Sequence, residues 1–128
     1  MDIHVVLPFP PTVNSYWLKT KNGIYLSKAG RFYKQIVLER IREQLPGIVL
    51  DDKLHLEVTL YPPDSRQRDL DNYMKGLLDA IAEAGLIEND ANIDQLEIRR
   101  GVIVRKGLVL VEINPAGPQI PLPIWLRH

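Results

Sequence analysis

The sequence predicts a single mixed α/β domain of the α+β kind, a small sheet carrying two main helices. Three observations lead there. Residues 53–61 alternate apolar and polar side chains with period two, two longer stretches repeat their apolar residues at helical spacing, and the segments run strand, helix, strand, helix, then two more strands. At 128 residues the chain suits one domain. A domain of this size buries roughly two-thirds of its unfolded surface, so it folds without a metal or a disulfide.

Residues 3–7 read as a short buried strand, stopped by Pro8, Pro10 and Pro11, with Asn14 in the rigid loop that follows. Residues 23–26 form a brief extended piece. Ser27 suits the N-cap of a helix running to about Leu45, with Tyr33, Ile36, Val37, Ile41 and Leu45 on its buried face and Pro46-Gly47 ending it. In the 53–61 strand, Leu54, Leu56, Val58 and Leu60 point one way and His55, Glu57 and Thr59 the other. Pro62-Pro63 breaks it, and a charged loop covers residues 64–68. A second helix opens at Asp69 or Asp71 and runs to Ala84, burying Met74, Leu77, Leu78 and Ile81, with Gly85 as its C-cap. Residues 88–90 form a turn. Residues 96–104 and 108–113 read as two strands joined by a turn at Lys106-Gly107, a hairpin. The chain divides into a domain over residues 1–114 and a proline-rich tail over residues 115–128, with no internal repeat.

Composition narrows the function. Without cysteine there is no disulfide, thiolate-bound zinc or thiol nucleophile, which suits a reducing cytoplasm. No apolar run approaches the ~20 residues of a membrane span, and the start does not read as a signal peptide. Basic and acidic residues number 16 each, so net charge is zero. The charges are unevenly placed. Lys19, Lys21, Lys28, Arg31, Lys34 and Arg40 are joined by one acid, Glu39, between residues 15 and 40, and Arg99, Arg100, Arg105 and Lys106 form a second group. Charge alone supports a basic face beside an acidic pocket and solvated faces equally.

The chemistry concentrates in Arg66-Gln67-Arg68-Asp69-Leu70-Asp71-Asn72-Tyr73-Met74-Lys75. In extended backbone, residues two apart share a face, so the Asp69 and Asp71 carboxylates can converge. Such a pair repels unless a cation lies between, and hard oxygen ligands select Mg²⁺, or Mn²⁺ in its place, over zinc. Lys75, four residues past Asp71, lies on the same helix side, where an ammonium stabilises charge on a phosphate or leaving oxygen. Arg66 and Arg68 offer phosphate contacts at the rim. Asp at a helix start also serves simply as a cap, and Asp with Lys four later is a common surface pair. A third acid tips that balance. Asp90 and Asp94 are its candidates, although Asp also favours turns for backbone reasons. A helix over 71–84 is about 20 Å long. The connection to Asp90 spans at most ~17 Å. Asp90 therefore reaches Asp69 by a direct return path, by a shorter helix, or from a partner subunit.

The run Arg68-Asp69-Leu70-Asp71-Asn72, then Lys75, Asp79-Ala80, Ala84-Gly85-Leu86 and Asn89-Asp90 resembles the core signature of the RusA family of Holliday junction resolvases. The opening Leu7-Pro8-Phe9-Pro10-Pro11-Thr12-Val13-Asn14-Ser15-Tyr16-Trp17 resembles that family's first strand and proline loop, and Leu26-Ser27-Lys28-Ala29-Gly30 with Tyr33 its first helix. The likeness spans residues 3–113. It implies a homodimeric, Mg²⁺-dependent endonuclease that resolves four-way DNA junctions in recombination and repair by symmetric paired nicks, one site per subunit. It places the family aspartates on Asp69, Asp71 and Asp90 as metal ligands and catalytic groups, and the catalytic lysine on Lys75. It also implies a bacterial or phage-infected cytoplasm, with a phage or prophage origin. Asn72 orients Asp71 or caps the helix, and Asp94 reads as structural. DNA contacts are expected from Arg66, Arg68, Lys19, Lys21, Lys28, Arg31, Asn14 and Asn72. The family tends to be basic, whereas this chain is neutral. The tail, with Ile120, Leu122, Ile124, Trp125 and Leu126, lies outside the family pattern and packs on its own domain, crosses to a partner or stays mobile; packing is the expectation, since Trp125 among exposed aliphatics is a sticky patch.

The three histidines lack metal-ligand spacing and read as structural. Tyr16 and Trp17 suit base stacking or core packing, and Tyr73 suits either the site or the interior. The rival reading is a non-catalytic branched-DNA-binding protein of the same fold, which a missing carboxylate or lysine would favour; none is missing. An aspartyl phosphatase also uses Asp-x-Asp, but there the first Asp ends a buried strand. A purely structural dimerisation domain leaves the Asp69, Asp71 and Lys75 cluster without a purpose.

Overall fold

A computed structural model describes residues 3–127; the first two residues and His128, which belong to the expected domain and tail ranges, lie outside the description. Four strands make the main sheet: β1 (Ile3–Leu7), β4 (Leu54–Tyr61), β5 (Ile93–Arg100) and β6 (Leu108–Pro115), in the order β1-β6-β4-β5. β6 runs antiparallel to β1 and β4, while β4 and β5 are parallel. The described residues hold three α-helices: α1 (Val13–Tyr16), α2 (Lys28–Gln44) and α3 (Met74–Glu83). β2 (Trp17–Thr20) and β3 (Gly23–Leu26) form a separate two-stranded hairpin. α3 connects β4 to β5, which gives the parallel pair its βαβ unit.

Helices cover one face of the sheet. Val5, Leu7, Leu56, Val58, Leu60, Val109, Val111 and Ile113 are buried there, in one core with Tyr33, Val37 and Ile41 of α2 and Leu77, Ala80 and Ile81 of α3. Ser27 caps α2 as expected, its hydroxyl accepting from Gly30 N–H at 2.9 Å. Tyr16 is the bolt between the helices. Its backbone oxygen lies 2.6 Å from where a Cβ would stand on Gly30 of α2, and its ring 2.7 Å from the same point on Gly76 of α3. Any side chain at either position would collide with it, so two glycines inside helices are tolerated for close approach.

The expected hairpin of the two last strands is corrected. β5 and β6 do not pair, because β4 lies between them. The Lys106-Gly107 turn exists, with both residues at positive φ, but it belongs to an arch over the end of β4. Gly101 N–H donates to the Leu60 oxygen at 2.8 Å and Val104 N–H to the Pro62 oxygen at 2.9 Å. The seven residues between β5 and β6 form an arch rather than a tight turn, long enough to carry the chain across the end of β4 to its other edge. β5 also begins earlier and ends earlier than expected, at Ile93 and Arg100. β1 alternates buried and exposed residues instead of being wholly buried, as an edge strand with one open face does. The second helix begins as a 3₁₀ turn, Leu70–Tyr73, before α3 proper.

The tail continues past β6 with Ala116 N–H on the Lys53 oxygen and Gly117 N–H on Gln95, then runs exposed. Trp125 is 78% exposed and Ile120 85%, so within one chain the expected packing of the tail is absent. Among the described residues no helix is long and apolar enough to cross a membrane.

Candidate active site

The acidic segment lies at the carboxyl end of β4. Pro62 and Pro63 end the strand, and the loop beyond is stapled to itself. Arg68 donates to the Asp64 carboxylate at 2.7 Å and to the backbone oxygens of Asp64 and Arg66, while its guanidinium sits 5.8 Å above the Phe9 ring. That guanidinium, helped by Arg66 N–H, holds the Asp64 carboxyl well below the usual carboxylate range, and Asp64 in turn raises the Arg68 pKa. From β5, Arg100 donates to the Arg68 oxygen at 2.6 Å. Phe9, in the proline loop, also meets Tyr73 edge-on at 5.0 Å. The proline loop, the arch and the acidic segment therefore converge at the carboxyl ends of two parallel strands, where open α/β sheets place their ligands.

This frame presents Asp69 and Asp71. Asp69 occupies the N-cap position of the 3₁₀ turn in extended backbone, yet its side chain makes no capping hydrogen bond. Asp71 follows in the first turn, and both residues are exposed. Asn72 is half-buried, its N–H on the Asp69 oxygen at 3.3 Å. Tyr73 is buried, which settles it as a packing residue. Lys75, exposed in the first turn of α3, shares a cavity of about 620 Å³ with Asn14, Lys19 and Asp79. Three residues expected to act on nucleic acid or phosphate thus face one cleft between the β2–β3 hairpin and α3.

The other expected contacts divide. Lys21 is exposed in the hairpin turn, and Lys28 is exposed at the start of α2. Arg31 donates to the Leu26 oxygen at 2.9 Å and leaves the rest of its guanidinium exposed. Arg66 is exposed, paired loosely with Asp64 at 3.5 Å. Arg68, with a side chain only 11% exposed, is engaged in building the loop rather than in waiting at its rim.

Asp90 stands elsewhere. Asn89 caps its turn by accepting from Ala91 N–H at 2.9 Å, which leaves the Asp90 carboxylate exposed at the start of β5. Asp69 adjoins Arg68, which is bonded to Arg100 at the other end of that strand. The eight residues of β5 span roughly 25 Å at the usual strand rise. One chain therefore carries Asp69 and Asp71 in the turn that leads into α3, with Lys75 in the first turn of that helix, and holds Asp90 at the far end of the sheet. Asp94 is paired with Lys53 at 3.9 Å.

Among the described residues, one group has three potential metal-ligand atoms within 4.8 Å of one another: His55, Glu57 and Glu97. The alternation of β4 put His55 and Glu57 on one face, but the pairing of Glu57 with Glu97 depends on the parallel register and had no signature in the sequence. Arg99 already offsets part of this group's charge, at 3.5 Å from Glu57 and 2.8 Å from Glu97. It lies on the sheet face that points away from the helices, so it is an ion-pair network with ligand chemistry, separate from Lys75.

A mixed sheet with helices on one face, an uncapped acid pair beside a lysine and a cationic hairpin across the cleft is the build of a small enzyme of nucleic-acid chemistry. Residues 8–114 match the family described as endodeoxyribonuclease RusA. The chain is 40% identical to the crossover junction endodeoxyribonuclease of Enterobacteria phage HK97 over 88% of its own length and 94% of that protein. It is 28% identical to the protein of the same name from Enterobacteria phage 82 (89% and 95% covered) and 27% to that of Escherichia coli strain K12 (88% and 94% covered). The chain belongs to the RusA family.

Proposed function

We propose that this protein is a divalent-metal-dependent endonuclease that resolves four-way DNA junctions in the cytoplasm of a bacterial or phage-infected cell, acting as a homodimer that nicks two opposed strands. The names of its relatives support the junction as substrate. The observation that carries the catalytic reading is the Asp69 side chain, which stands at a helix mouth without capping it. A carboxylate placed to cap and left unbonded beside a second acid is poorly accounted for by helix stability.

Asp69 and Asp71 are the ligands each chain offers to Mg²⁺, and their hard oxygens suit that ion. The third, Asp90, is supplied by the partner subunit, a reading supported by its place at the far end of β5. When bound, Mg²⁺ supplies Lewis acidity, neutralising charge on the attacked phosphate and making water a better nucleophile. Lys75 holds the phosphate and stabilises the negative charge that develops in the transition state. Lys19, Lys21, Lys28, Arg31 and Arg66 grip flanking phosphates, Asn14 and Asn72 add hydrogen bonds, and Arg68 fixes the loop.

The test is a nicking assay on a synthetic four-way junction, with and without Mg²⁺. Symmetric nicks that need the metal and vanish in Asp71→Asn are expected. Junction binding without metal-dependent cutting would instead establish a binding protein of the same fold.

A further inference from the structure

We propose that the cavity between the β2–β3 hairpin and α3 receives one unstacked nucleobase next to the phosphate that is cut, and reads its amino edge. This rests on the nuclease reading above. The cavity, about 620 Å³, has an apolar wall made by Trp17, Leu18 and Ile24 and a polar side made by Asn14, Lys75 and Asp79. That is the composition of a ligand site, a mostly apolar surface with a few convergent polar groups, and the size falls within the usual range. Leu18 and Ile24 are 53% and 63% exposed, side chains on a hairpin with nothing to cover. A flat aromatic ring sliding between them and α3 would cover them.

Lys75 and Asp79 fix what enters. They lie one helical turn apart, about 6 Å along the axis. With a phosphate on Lys75, the base of the same or the adjoining nucleotide falls beside Asp79. Asp79 is half-buried and enters no ion pair or hydrogen bond among the described residues. The Tyr16 hydroxyl is buried and unpartnered, as is Trp17 Nε1 in the cavity wall. An ionised carboxylate only accepts hydrogen bonds, so it favours a base with an exocyclic amino group and disfavours thymine, whose single N3–H donor is flanked by two carbonyl oxygens that the carboxylate repels. Asn14, able to donate and accept, completes the edge. Lys19 on the hairpin meets the neighbouring phosphate. Extruding a base is least costly where stacking is already interrupted, as it is at the branch of a junction.

The experiment uses the full-length wild-type protein and junctions whose cuts are first mapped with Mg²⁺. The nucleotide on either side of the cut is then replaced in turn by 2-aminopurine, by thymine with its complement adjusted, or by an abasic residue. The expected results are a rise in 2-aminopurine fluorescence on binding in Ca²⁺ at one of the two positions, and a fall in single-turnover cutting of about tenfold with thymine or the abasic residue there. Asp79→Asn, whose amide also donates, should cut thymine and amino-bearing junctions at similar rates, and Ile24→Ser should lose the fluorescence rise while keeping its melting temperature. Equal cutting of all the junctions by wild type, with no fluorescence rise at either position, would overturn the base pocket and leave the nuclease reading intact. Absence of metal-dependent nicks on every junction would overturn both.

Discussion

Arg68 looks, in sequence, like one more cation near an acidic pair; its contacts make it a construction element. It joins Asp64, the Arg66 backbone and the Phe9 ring, so the loop that delivers Asp69 is set before any ligand arrives. Because the Asp64 carboxyl is held below its ordinary value, the staple is fully present above about pH 4, the unfolded carboxylate range. It is lost only as pH falls through the depressed value, so Asp64 contributes no titration to activity near neutrality. Asp64→Ala should therefore speed tryptic cleavage at Arg66 at neutral pH, followed by gel electrophoresis, and lower activity while leaving the melting temperature nearly unchanged. Lys75→Met should lower the cutting rate about 10²-fold, with junction affinity in Ca²⁺ changed much less, because its main interaction forms in the transition state. Spacing singled out Asp69, Asp71 and Lys75 in the sequence but fitted a helix cap and a surface pair as well, and the family resemblance is what gave them a catalytic reading. The sequence could not reveal that Arg68 is occupied, because that follows from the way the loop folds back to place Asp64 and the Arg66 oxygen at its guanidinium, with Phe9 of the proline loop beneath.

At the scale of elements, α2 and β4 were legible because each carries its own period, and Ser27 and Gly85 mark their ends or those of their neighbours by local chemistry. The β2–β3 hairpin was half legible: residues 23–26 read as an extended piece, but Trp17–Thr20 does not alternate and does not read as a strand, and the turn chemistry of Asn22-Gly23 went unused. The pairing of β5 with β4 was not legible at all, since no local pattern states which distant strand lies alongside. Helix contacts have the same character. Nothing in Gly76 announces that Tyr16 presses on it, yet a methyl group there meets the ring. Gly76→Ala should destabilise the fold by about 1–3 kcal/mol despite the better helix propensity of alanine, read as a lower urea midpoint. A gain in stability would show that the helices have room to separate. Replacing Lys19 and Lys21 together by Gln should reduce the slope of log affinity against log salt by about 2, if each side chain neutralises one phosphate.

For the molecule as a whole, net charge is zero, and part of the acidic charge lies on the sheet face away from the helices, where Glu57 stands in register with both Glu97 and Glu112. The family domain ends where β6 ends, and the apolar tail beyond has few contacts in the single chain. Removing residues 118–128 should accordingly shift stability by no more than about 0.5 kcal/mol, the usual range for surface changes. The separation of Asp90 from Asp69 and Asp71 has the largest consequence, since under the proposed function each cutting site would be the joint property of two chains. A purified heterodimer, one subunit carrying Asp71→Asn and the other Asp90→Asn with different tags, measures this directly. With shared sites, one of the two retains Asp69, Asp71 and the partner's Asp90, so the heterodimer should nick a single strand of a four-way junction in Mg²⁺ while each homodimeric variant stays inactive. A heterodimer as inactive as its parents would contradict the account and return Asp90 to its own chain.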